Sequence, residues 1–335
     1  MNKKNKKVLI SGYIGFGNFG DEAIFSCLVS YLKSKNVDIS ALSNTPDKTA
    51  KKYSINAYKY NSILEIFKAI LKSDILFSGG GSLLQNNTSN KSLIYYLGII
   101  FLAKLFGKKV VIFAQGLEGI NGKFMSGLTY SILKKCDFVT VRDKKSKSIM
   151  DKNGIKAELV CDPVFSVKLP PHTPRNQIGI QLRGTNAMHP LFVERLTDAI
   201  GKYFPDKSIK VFSFQEEQDR KICIEFAMML QRKFQDIEVE ILLDSSVQEI
   251  IKNFANLEYL FAMRYHACII GAMYGIKTMP IAYDEKVVTF AKENEMPYID
   301  CGWEKDLIQD CRNIEHAKYK VTNKFQWNIF DKYIC

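Results

Sequence analysis

The 335-residue sequence predicts an α/β fold made of two doubly wound domains, each with a parallel sheet covered by helices on both faces. Short apolar runs alternate with stretches of helical periodicity from the first residues onward, which is the pattern of strands joined by crossover helices. Four prolines interrupt this alternation over 162–175, and the alternation then restarts. A single linker between two such halves predicts two domains, in keeping with the length.

In the first half, apolar runs of strand length predict strands at 7–11, 37–43, 75–78, 110–114 and 138–141. Helical periodicity between them predicts helices at 21–34, 62–72, 93–106, 124–134 and 146–153. The stretch at 92–105 is the best candidate for a membrane span, but it is shorter than a bilayer requires. We therefore expect it to be a buried helix.

In the second half, the same reasoning predicts strands at 178–182, 210–214, 239–243, 259–262 and 278–282, and helices at 191–203, 218–234, 247–254 and 267–274. The predicted domains are residues 1–165 and 175–300, two Rossmann-like units that face each other across a cleft. By analogy with such folds, we expect residues 301–335 to form a helical segment that packs back on the first domain.

The composition indicates in which compartment the protein works and which partners it can bind. The lysine tail before the first strand is followed by too short an apolar run for a signal peptide, which predicts a cytoplasmic protein. The eight cysteines contain no CxxC pair, so we expect structural thiols and no metal site. The net charge of +12 fits a solvated lysine surface, attraction to acidic substrates or contact with anionic lipid. No nucleic-acid motif accompanies it, so nucleic acid is not an expected partner.

Ligands of doubly wound sheets bind in the loops that follow the strands. The loop at 11–22 matches neither the dinucleotide nor the P-loop spacing, and a glycine-rich turn capped by Asp21 is the alternative to a binding loop. The loop at 77–85 carries three glycines that open its backbone to an anion or a sugar, unless it is simply a tight connection. The predicted substrate-binding residues are Gly15, Asn18, Gly20, Asp21, Glu22, Gly80, Gly81, Ser82 and Gln115.

Three cationic residues also follow predicted strands. The planar guanidinium of Arg142 suits a carboxylate or a phosphate, unless it pairs with Asp143 on the surface. Arg264 opens a helix, where positive charge opposes the helix dipole, so ligand binding explains its placement better than stability does. Lys286 lies at the next strand-to-helix junction. Together these cations suit a ligand with two or three negative charges, and His266 can move a proton near neutral pH.

These loops resemble those of the polysaccharide pyruvyl transferase family, and within it the CsaB-like branch, which modifies cell-wall polymers. The resemblance spans roughly residues 8–290 and rests on an ordered set of motifs rather than on any single one. The motifs are GY at 12–13, NFGDEAI at 18–24, GGGSLLQ at 79–85, VRDKKS at 141–146, MRYHA at 263–267 and YDEKV at 283–287.

The resemblance implies a GT-B-like architecture and transfer of a pyruvate ketal from phosphoenolpyruvate, the co-substrate, to a sugar. It maps the family's cations onto Arg142, Arg264 and Lys286 and its essential histidine onto His266; no cofactor or metal is expected. The family's acceptors are lipid-linked saccharides at the cytoplasmic membrane face, which allows peripheral membrane association. Tyr265 departs from the family pattern, which has leucine or a similar apolar residue at this position.

From this chemistry we expect His266 to be the general acid or base, Arg264 and Lys286 to hold the phosphate, and Arg142 to hold the carboxylate. Two other functions fit the sequence. A GT-B glycosyltransferase would bind the diphosphate of a nucleotide sugar at the same cations, and Glu216, Glu217 and Asp219 are its candidate ribose-binding acids. A non-catalytic membrane scaffold would bind anionic lipid through its lysines, but it would not need these aligned loops.

Overall fold

The computed structural model of the protein describes residues 5–86, 89–302, 307–316 and 323–334. The chain divides into two compact units: unit 1 is Met1–Val167 with Asn323–Cys335, and unit 2 is Lys168–Thr322. Each unit is built around one parallel sheet with crossover helices. The predicted fold class of two parallel-sheet α/β domains is therefore confirmed.

Unit 1 contains a seven-stranded sheet in the order β3-β2-β1-β4-β5-β6-β7. Its strands are β1 (Lys7–Ser11), β2 (Asp38–Ser43), β3 (Asn56–Lys59), β4 (Ile75–Gly81), β5 (Lys109–Gln115), β6 (Phe138–Val141) and β7 (Glu158–Leu159). Its helices before the linker are α1 (Phe19–Ser34), α2 (Pro46–Tyr53), α3 (Ile63–Lys72), α4 (Asn90–Leu105), α5 (Lys123–Leu133) and α6 (Lys144–Lys152). The strand order reverses between β1 and β4, so the loops after these two strands flank the switch point of the sheet.

Unit 2 contains a six-stranded sheet in the order β10-β9-β8-β11-β12-β13. Its strands are β8 (Gln177–Gln181), β9 (Ser208–Phe212), β10 (Val239–Leu242), β11 (Leu257–Ala262), β12 (Lys277–Ala282) and β13 (Ile299–Asp300). Its helices are α7 (Phe192–Tyr203), α8 (Glu216–Lys233), α9 (Val247–Phe254), α10 (Tyr265–Tyr274), α11 (Glu285–Glu293) and α12 (Leu307–Asn313). Here the order reverses between β8 and β11.

The last described residues complete the core of unit 1. A 3₁₀ turn, Trp327–Phe330, leads into the short helix α13 (Asp331–Ile334). The fully buried Phe330 ring lies 5.3 Å from the ring of Phe113 and 5.6 Å from that of Phe138, measured between centroids. The predicted segment 301–335 is thus described only in part, because residues 303–306, 317–322 and 335 lie outside the described residues.

Several features differ from the sequence prediction. The polar helix α2 and the edge strand β3 were not predicted, because neither carries an apolar run. The prediction that the apolar helix α4 is buried is wrong on one side, where Ile94, Phe101 and Leu105 are exposed. Asp162, at the start of the predicted linker, is buried in unit 1 and caps a 3₁₀ turn, Pro163–Ser166. In the part of the chain that the structure describes, no helix is both long and apolar enough to span a bilayer.

Candidate active site

The loop between β1 and α1 is held by its own polar side chains. Asn18 caps α1, because its Oδ1 accepts hydrogen bonds from the N–H groups of Gly20 (3.0 Å) and Asp21 (3.3 Å). Asp21 is therefore not the cap of this helix, as the alternative interpretation required. The carboxylate of Glu22 accepts the N–H of Gly15 at 2.8 Å, and it also accepts the hydroxyl of Tyr53 at 3.2 Å. Asn18 and Glu22 thus fix the shape of the loop.

The glycine run at the end of β4 lets helix α1 come close to the sheet. The run has positive φ at all three residues, and a Cβ on Gly81 would lie 2.7 Å from Oδ1 of Asp21. A Cβ on Gly80 would lie 2.4 Å from Cγ2 of Ile24, also on α1. Any larger residue would push α1 away, so the run places the Asp21 carboxylate against a bare backbone.

Arg142, which follows β6, joins this region from a different loop. Its Nη1 donates to Oδ2 of Asp162 at 2.9 Å, and its Nη2 donates to Oγ of Ser82 at 3.0 Å. Asp143 instead caps α6 by accepting the N–H of Ser146 at 2.7 Å, so the proposed surface pair of Arg142 with Asp143 is wrong. The ion pair of Arg142 with Asp162 is buried, and it orders the loop that carries Ser82.

Gln115 ends β5 beside Arg142. Its Nε2 donates to the carbonyl of Gly116 at 2.9 Å, and its backbone carbonyl accepts the N–H of Arg142 at 3.3 Å. A Cβ on Gly116 would lie 2.7 Å from Nε of Arg142, so the guanidinium packs directly on this glycine. Unit 1 therefore brings Asp21, Gly81, Ser82, Gln115 and Arg142 to the carboxyl edge of one sheet.

In unit 2, Arg264 occupies the N-cap position of α10, directly after the switch-point strand β11. Its N–H donates to Oε1 of Gln181 at 2.7 Å. Its guanidinium binds Asp219 on α8 through Nε (3.2 Å) and Nη2 (2.5 Å), and Nη2 also donates to Oε1 of Gln218 at 3.1 Å. The arginine is therefore held in a fixed orientation.

The Asp219 carboxylate is fully buried. It accepts the backbone N–H groups of Phe214 (3.0 Å) and Gln215 (3.1 Å) in addition to Arg264. Burial raises the pKa of Asp219, while the charge of Arg264 and these hydrogen bonds oppose the rise. Asp219 was one of the candidate ribose-binding acids, but its oxygens are already occupied by protein donors.

The loop between β12 and α11 brings further charge to this edge. Lys286 pairs with Oδ2 of Asp284 at 2.9 Å, and its Nζ lies 5.9 Å from the ring centroid of Tyr283. The hydroxyl of Tyr283 accepts a hydrogen bond from Nη1 of Arg183 at 2.8 Å. Burial raises the pKa of Tyr283, whereas the nearby charges of Lys286, Arg183 and Arg264 lower it. Three cations therefore converge around this tyrosine.

Sequence reasoning missed Arg183, although it follows the first strand of unit 2 and so had the positional signal of a site residue. Its Nε is buried and meets no acceptor among the described residues. Asp162 was missed because a residue before proline in a proline-rich stretch resembles a linker rather than a buried anchor.

His266 lies in the first turn of α10, next to Arg264. It is half-buried, and the centroid of its ring lies 5.3 Å from that of Tyr265. The ring of Tyr265 packs edge-on against that of Phe290, with 5.5 Å between the centroids. Tyr265 differs from the apolar residue of the family pattern, but its ring still makes an apolar contact. Unit 2 thus brings His266, Arg264 and Lys286 to one edge of its sheet, while Arg142 belongs to unit 1.

One cavity in unit 1, of about 520 Å³, lies away from these loops. It is lined by Phe138 and Val139 at the amino end of β6 and by Tyr333 of α13. Arg142 follows the opposite, carboxyl end of the same strand. The cavity is therefore not part of the candidate site.

Two parallel α/β units with polar loops at their carboxyl edges define a protein of the GT-B-like class. The chain belongs to the polysaccharide pyruvyl transferase family, whose model matches residues 18–285. No curated protein sequence matches the chain.

Solved structures of other proteins share the fold at low sequence identity. A UDP-GlcNAc 2-epimerase from Methanocaldococcus jannaschii, in complex with UDP-GlcNAc and UDP, is 14% identical, with a TM-score of 0.63 over 98% of this chain and 99% of that one. A putative UDP-N-acetylglucosamine 2-epimerase from Listeria monocytogenes is 12% identical, with a TM-score of 0.63 over 93% and 88%. A glycosyltransferase from Rickettsia africae is 15% identical, with a TM-score of 0.61 over 93% and 89%. These similarities concern the fold alone.

Proposed function

We propose that this protein transfers a pyruvate ketal from phosphoenolpyruvate to a sugar of a cell-surface polysaccharide or of its lipid-linked precursor, releasing phosphate. We place it in the CsaB-like branch that modifies cell-wall polymers, and we assign its action to the cytoplasmic face of the membrane. The observation that carries the proposal is the convergence of Arg183, Arg264 and Lys286 around Tyr283 in a member of this family. The proposed reaction requires neither a cofactor nor a metal.

The phosphate of the donor is assigned to the cations of unit 2. In the described part of the chain, the guanidinium of Arg264 hydrogen-bonds through Nε and Nη2, which leaves the donors of Nη1 for an anion. The guanidinium of Arg183, which donates to the hydroxyl of Tyr283 through Nη1, adds a further positive charge there. Helix α10 has no acidic residue in its first turn and no side-chain cap, so its N–H groups add to the positive potential. The departing phosphate would be stabilised by these groups.

His266 is assigned the proton transfers because imidazole is the commonest general acid–base group of enzymes and His266 lies in the first turn of α10, two residues after Arg264. In the proposed reaction, the methylene carbon C3 gains a proton and a sugar hydroxyl loses one as its oxygen bonds to C2. The C2–O bond to phosphate then breaks, and a second hydroxyl closes the ketal by bonding to C2 and giving its proton to the departing phosphate. The products are the ketal and inorganic phosphate, so atoms and protons balance.

The acceptor sugar is assigned to the loops of unit 1. The Asp21 carboxylate and the Ser82 hydroxyl are partly exposed and suit the hydroxyls of a sugar. Gly80, Gly81 and Gln115 are buried beside them and shape the loop, and their own contact with substrate stays a prediction. The role of Arg142 in binding the carboxylate of phosphoenolpyruvate stays a prediction from the sequence. Its pair with Asp162 would hold its planar group in position for this contact.

The proposal is tested by incubating the purified protein with phosphoenolpyruvate and a panel of lipid-linked or synthetic saccharides. We expect phosphate release, together with a product mass equal to the acceptor plus pyruvate minus one water. His266→Ala should lower the rate by roughly 10²–10⁴-fold, because it removes a general acid–base group. The matched control is His172→Gln, since His172 bonds the carbonyl of Leu257 at the amino end of β11. Equal rates in the two variants would refute the role of His266.

A nucleotide-sugar donor is the alternative, because the epimerase from M. jannaschii was solved with UDP-GlcNAc and UDP. The two proposals differ in the ligand that stabilises the protein. Phosphoenolpyruvate should raise the thermal unfolding midpoint, while UDP-GlcNAc should leave it unchanged. Lys286→Met should abolish this shift and Lys292→Met, at the other end of α11, should preserve it. A shift with UDP-GlcNAc alone would favour a glycosyltransferase.

A further inference from the structure

Unit 1 exposes an unusual amount of apolar surface on one group of helices. Leu64 and Phe124 are 83% and 80% exposed. Single exposed apolar residues are normal on protein surfaces, but clustered ones mark an interaction site. Among the described residues between 63 and 128, the exposed large apolar side chains are Ile63, Leu64, Leu71, Ile94, Phe101, Leu105, Phe106, Phe124 and Leu128. We call these nine residues the apolar patch.

The patch belongs to three helices that share one face of the sheet. Helix α3 contacts α4, and α4 contacts α5. The buried sides of all three contribute to one core cluster, through residues such as Ile70, Leu97 and Ile132. The crossovers from β3 to β4, β4 to β5 and β5 to β6 all run in the same direction across the sheet, and right-handed crossovers then place their helices on the same side.

The exposed residues follow helical spacing. In α4, Ile94, Phe101 and Leu105 are separated by seven and four residues, which puts them on one stripe. In α5, Phe124 and Leu128 are four residues apart. The ring centroid of Phe106 lies 5.9 Å from that of Phe67 on α3, which joins the end of α4 to the neighbouring helix. The exposed apolar side chains thus follow the solvent sides of three neighbouring helices.

The charged residues within the three helices are almost all positive. Helices α4 and α5 contain no aspartate or glutamate, and α3 contains only Glu65. Lys68 on α3, Lys91 on α4 and Lys123 on α5 are exposed. A helix surface with apolar side chains and flanking lysines is typical of proteins that lie on anionic lipid, where the apolar groups enter the interface and the lysines meet the headgroups.

The most exposed members of the patch lie near the proposed sugar site. Leu64 and Phe124 are in the first turns of α3 and α5, and Lys91 is in the first turn of α4. Each of these helices follows a strand of the parallel sheet, so their first turns lie at the same carboxyl edge as the glycine run of β4 and Gln115.

We infer that the apolar patch and its lysines dock unit 1 on a membrane surface containing anionic lipid. This docking would bring the carboxyl edge of the unit 1 sheet to the headgroup layer, where the sugar of a lipid-linked acceptor would be found. The inference deepens the proposed function by naming the surface that meets the membrane. Vesicle binding is measured without substrate, so it fails or succeeds independently of the pyruvyl transfer.

The experiment is sedimentation of the whole protein with vesicles of phosphatidylcholine alone or of an equimolar mixture with phosphatidylglycerol. We expect binding to the mixture that weakens with added salt. Leu64→Ser combined with Phe124→Ser should weaken binding about tenfold or more, because two side chains no longer enter the interface. The control Met228→Ser alters an exposed apolar residue of unit 2 and should bind as the unmodified protein does.

A second pair of variants separates local charge from net charge. Lys68→Gln, Lys91→Gln and Lys123→Gln together should weaken binding by about fivefold per lysine. The matched triple Lys202→Gln, Lys221→Gln and Lys252→Gln removes the same charge from exposed positions on helices of unit 2 and should have little effect. All these positions are exposed, so unchanged thermal unfolding midpoints are expected.

Three outcomes would overturn the inference. The first is failure of the unmodified protein to bind the mixed vesicles, and the second is equal loss of binding in the two lysine triples. The third is a concentration-dependent dimer that Leu64→Ser with Phe124→Ser converts to a monomer while vesicle binding is unaffected. In that case the patch is an interface between two copies of the chain.

Discussion

Each unit holds one arginine against a buried aspartate, but the two arginines occupy different places in their sheets. Arg264 follows β11, which borders the switch point of unit 2, whereas Arg142 follows β6, two strands beyond the switch-point strand β4. The partners also differ: Asp219 lies in the first turn of a helix, and Asp162 precedes a 3₁₀ turn. The two ion pairs therefore occupy different positions in the two units.

The different positions of the two arginines suggest that they have different roles. At the switch point, Arg264 stands where doubly wound sheets bind ligands, and Asp219 orients it there. Arg142 stands to one side of its switch point and reaches back to Ser82 in the loop after β4. We expect changes at Arg264 to act mainly on the reaction, and changes at Arg142 to act on binding and on the order of the glycine loop.

The largest expected effect follows from removing a buried aspartate. Asp219→Ala leaves Arg264 and the N–H groups of Phe214 and Gln215 without their acceptor, which should cost about 3–5 kcal/mol of unfolding free energy. Urea unfolding followed by proteolysis of each unit would assign the loss to unit 2. Asp162→Ala should destabilise unit 1 instead. If either variant weakened both units equally, the two ion pairs would not be separate anchors.

A smaller effect is expected when each arginine keeps its charge but loses its planar group. Arg264→Lys should lower phosphate release by roughly 10–100-fold, because lysine cannot reproduce hydrogen bonds of Nε and Nη2 to Asp219 together with those of Nη1 to an anion. Arg142→Lys should raise the KM for phosphoenolpyruvate and change kcat less. Steady-state kinetics with both substrates varied measures the split. A larger fall in kcat for Arg142→Lys than for Arg264→Lys would contradict these two roles.

The glycine run offers a test confined to unit 1. Gly81→Ala should cost about 1–3 kcal/mol, because its φ of +87° disfavours an L-residue and its Cβ would meet Asp21. The variant should also raise the KM for the saccharide while leaving the KM for phosphoenolpyruvate nearly unchanged. Gly119→Ala is the control, since its Cβ would meet nothing within 4 Å. Similar kinetics in the two variants would exclude Gly81 from acceptor binding.

The smallest effect concerns a surface carboxylate of unit 1. Asp331 accepts hydrogen bonds from Tyr31 (2.6 Å) and Lys35 (2.8 Å), which lower its pKa in the folded protein. A lowered pKa means that this stabilisation is present above the unfolded value of about 3.9 and is lost as the pH falls through the folded value. The unfolding midpoint of unit 1 should therefore fall slightly less between neutral pH and strongly acidic pH in Asp331→Asn than in the unmodified protein. Thermal unfolding at both pH values measures this difference.

The sequence was sufficient to predict the class of fold because alternating apolar runs and helical stretches are local patterns. It also predicted that Arg142, Arg264 and Lys286 follow strands. It could not predict what those side chains contact, since Asp162 and Asp219 meet their arginines from 20 and 45 residues away. The same limit applies to Asn18 and Glu22, whose hydrogen bonds to the loop depend on its three-dimensional path. Their role in substrate binding stays a prediction.

The exposed side of α4 shows another limit of sequence reasoning. A stretch as apolar as 92–105 predicts burial, because the apolar character continues around the helix. The helix is nevertheless in a layer only one helix deep on its face of the sheet, so the described residues of unit 1 leave Ile94, Phe101 and Leu105 exposed on the side that faces away from the strands. Composition alone does not distinguish a helix that is buried on all sides from one with an exposed apolar side.

The placement of Phe330 in the core of unit 1 has a consequence for how the chain is made. During synthesis, unit 1 emerges first, but the aromatic residue that fills the space among Phe77, Phe113 and Phe138 is translated only after all of unit 2. Unit 1 therefore leaves the ribosome before residues 323–334, which complete its core, have been translated. A separately expressed unit 1 should fold only when Asn323–Cys335 is supplied with it.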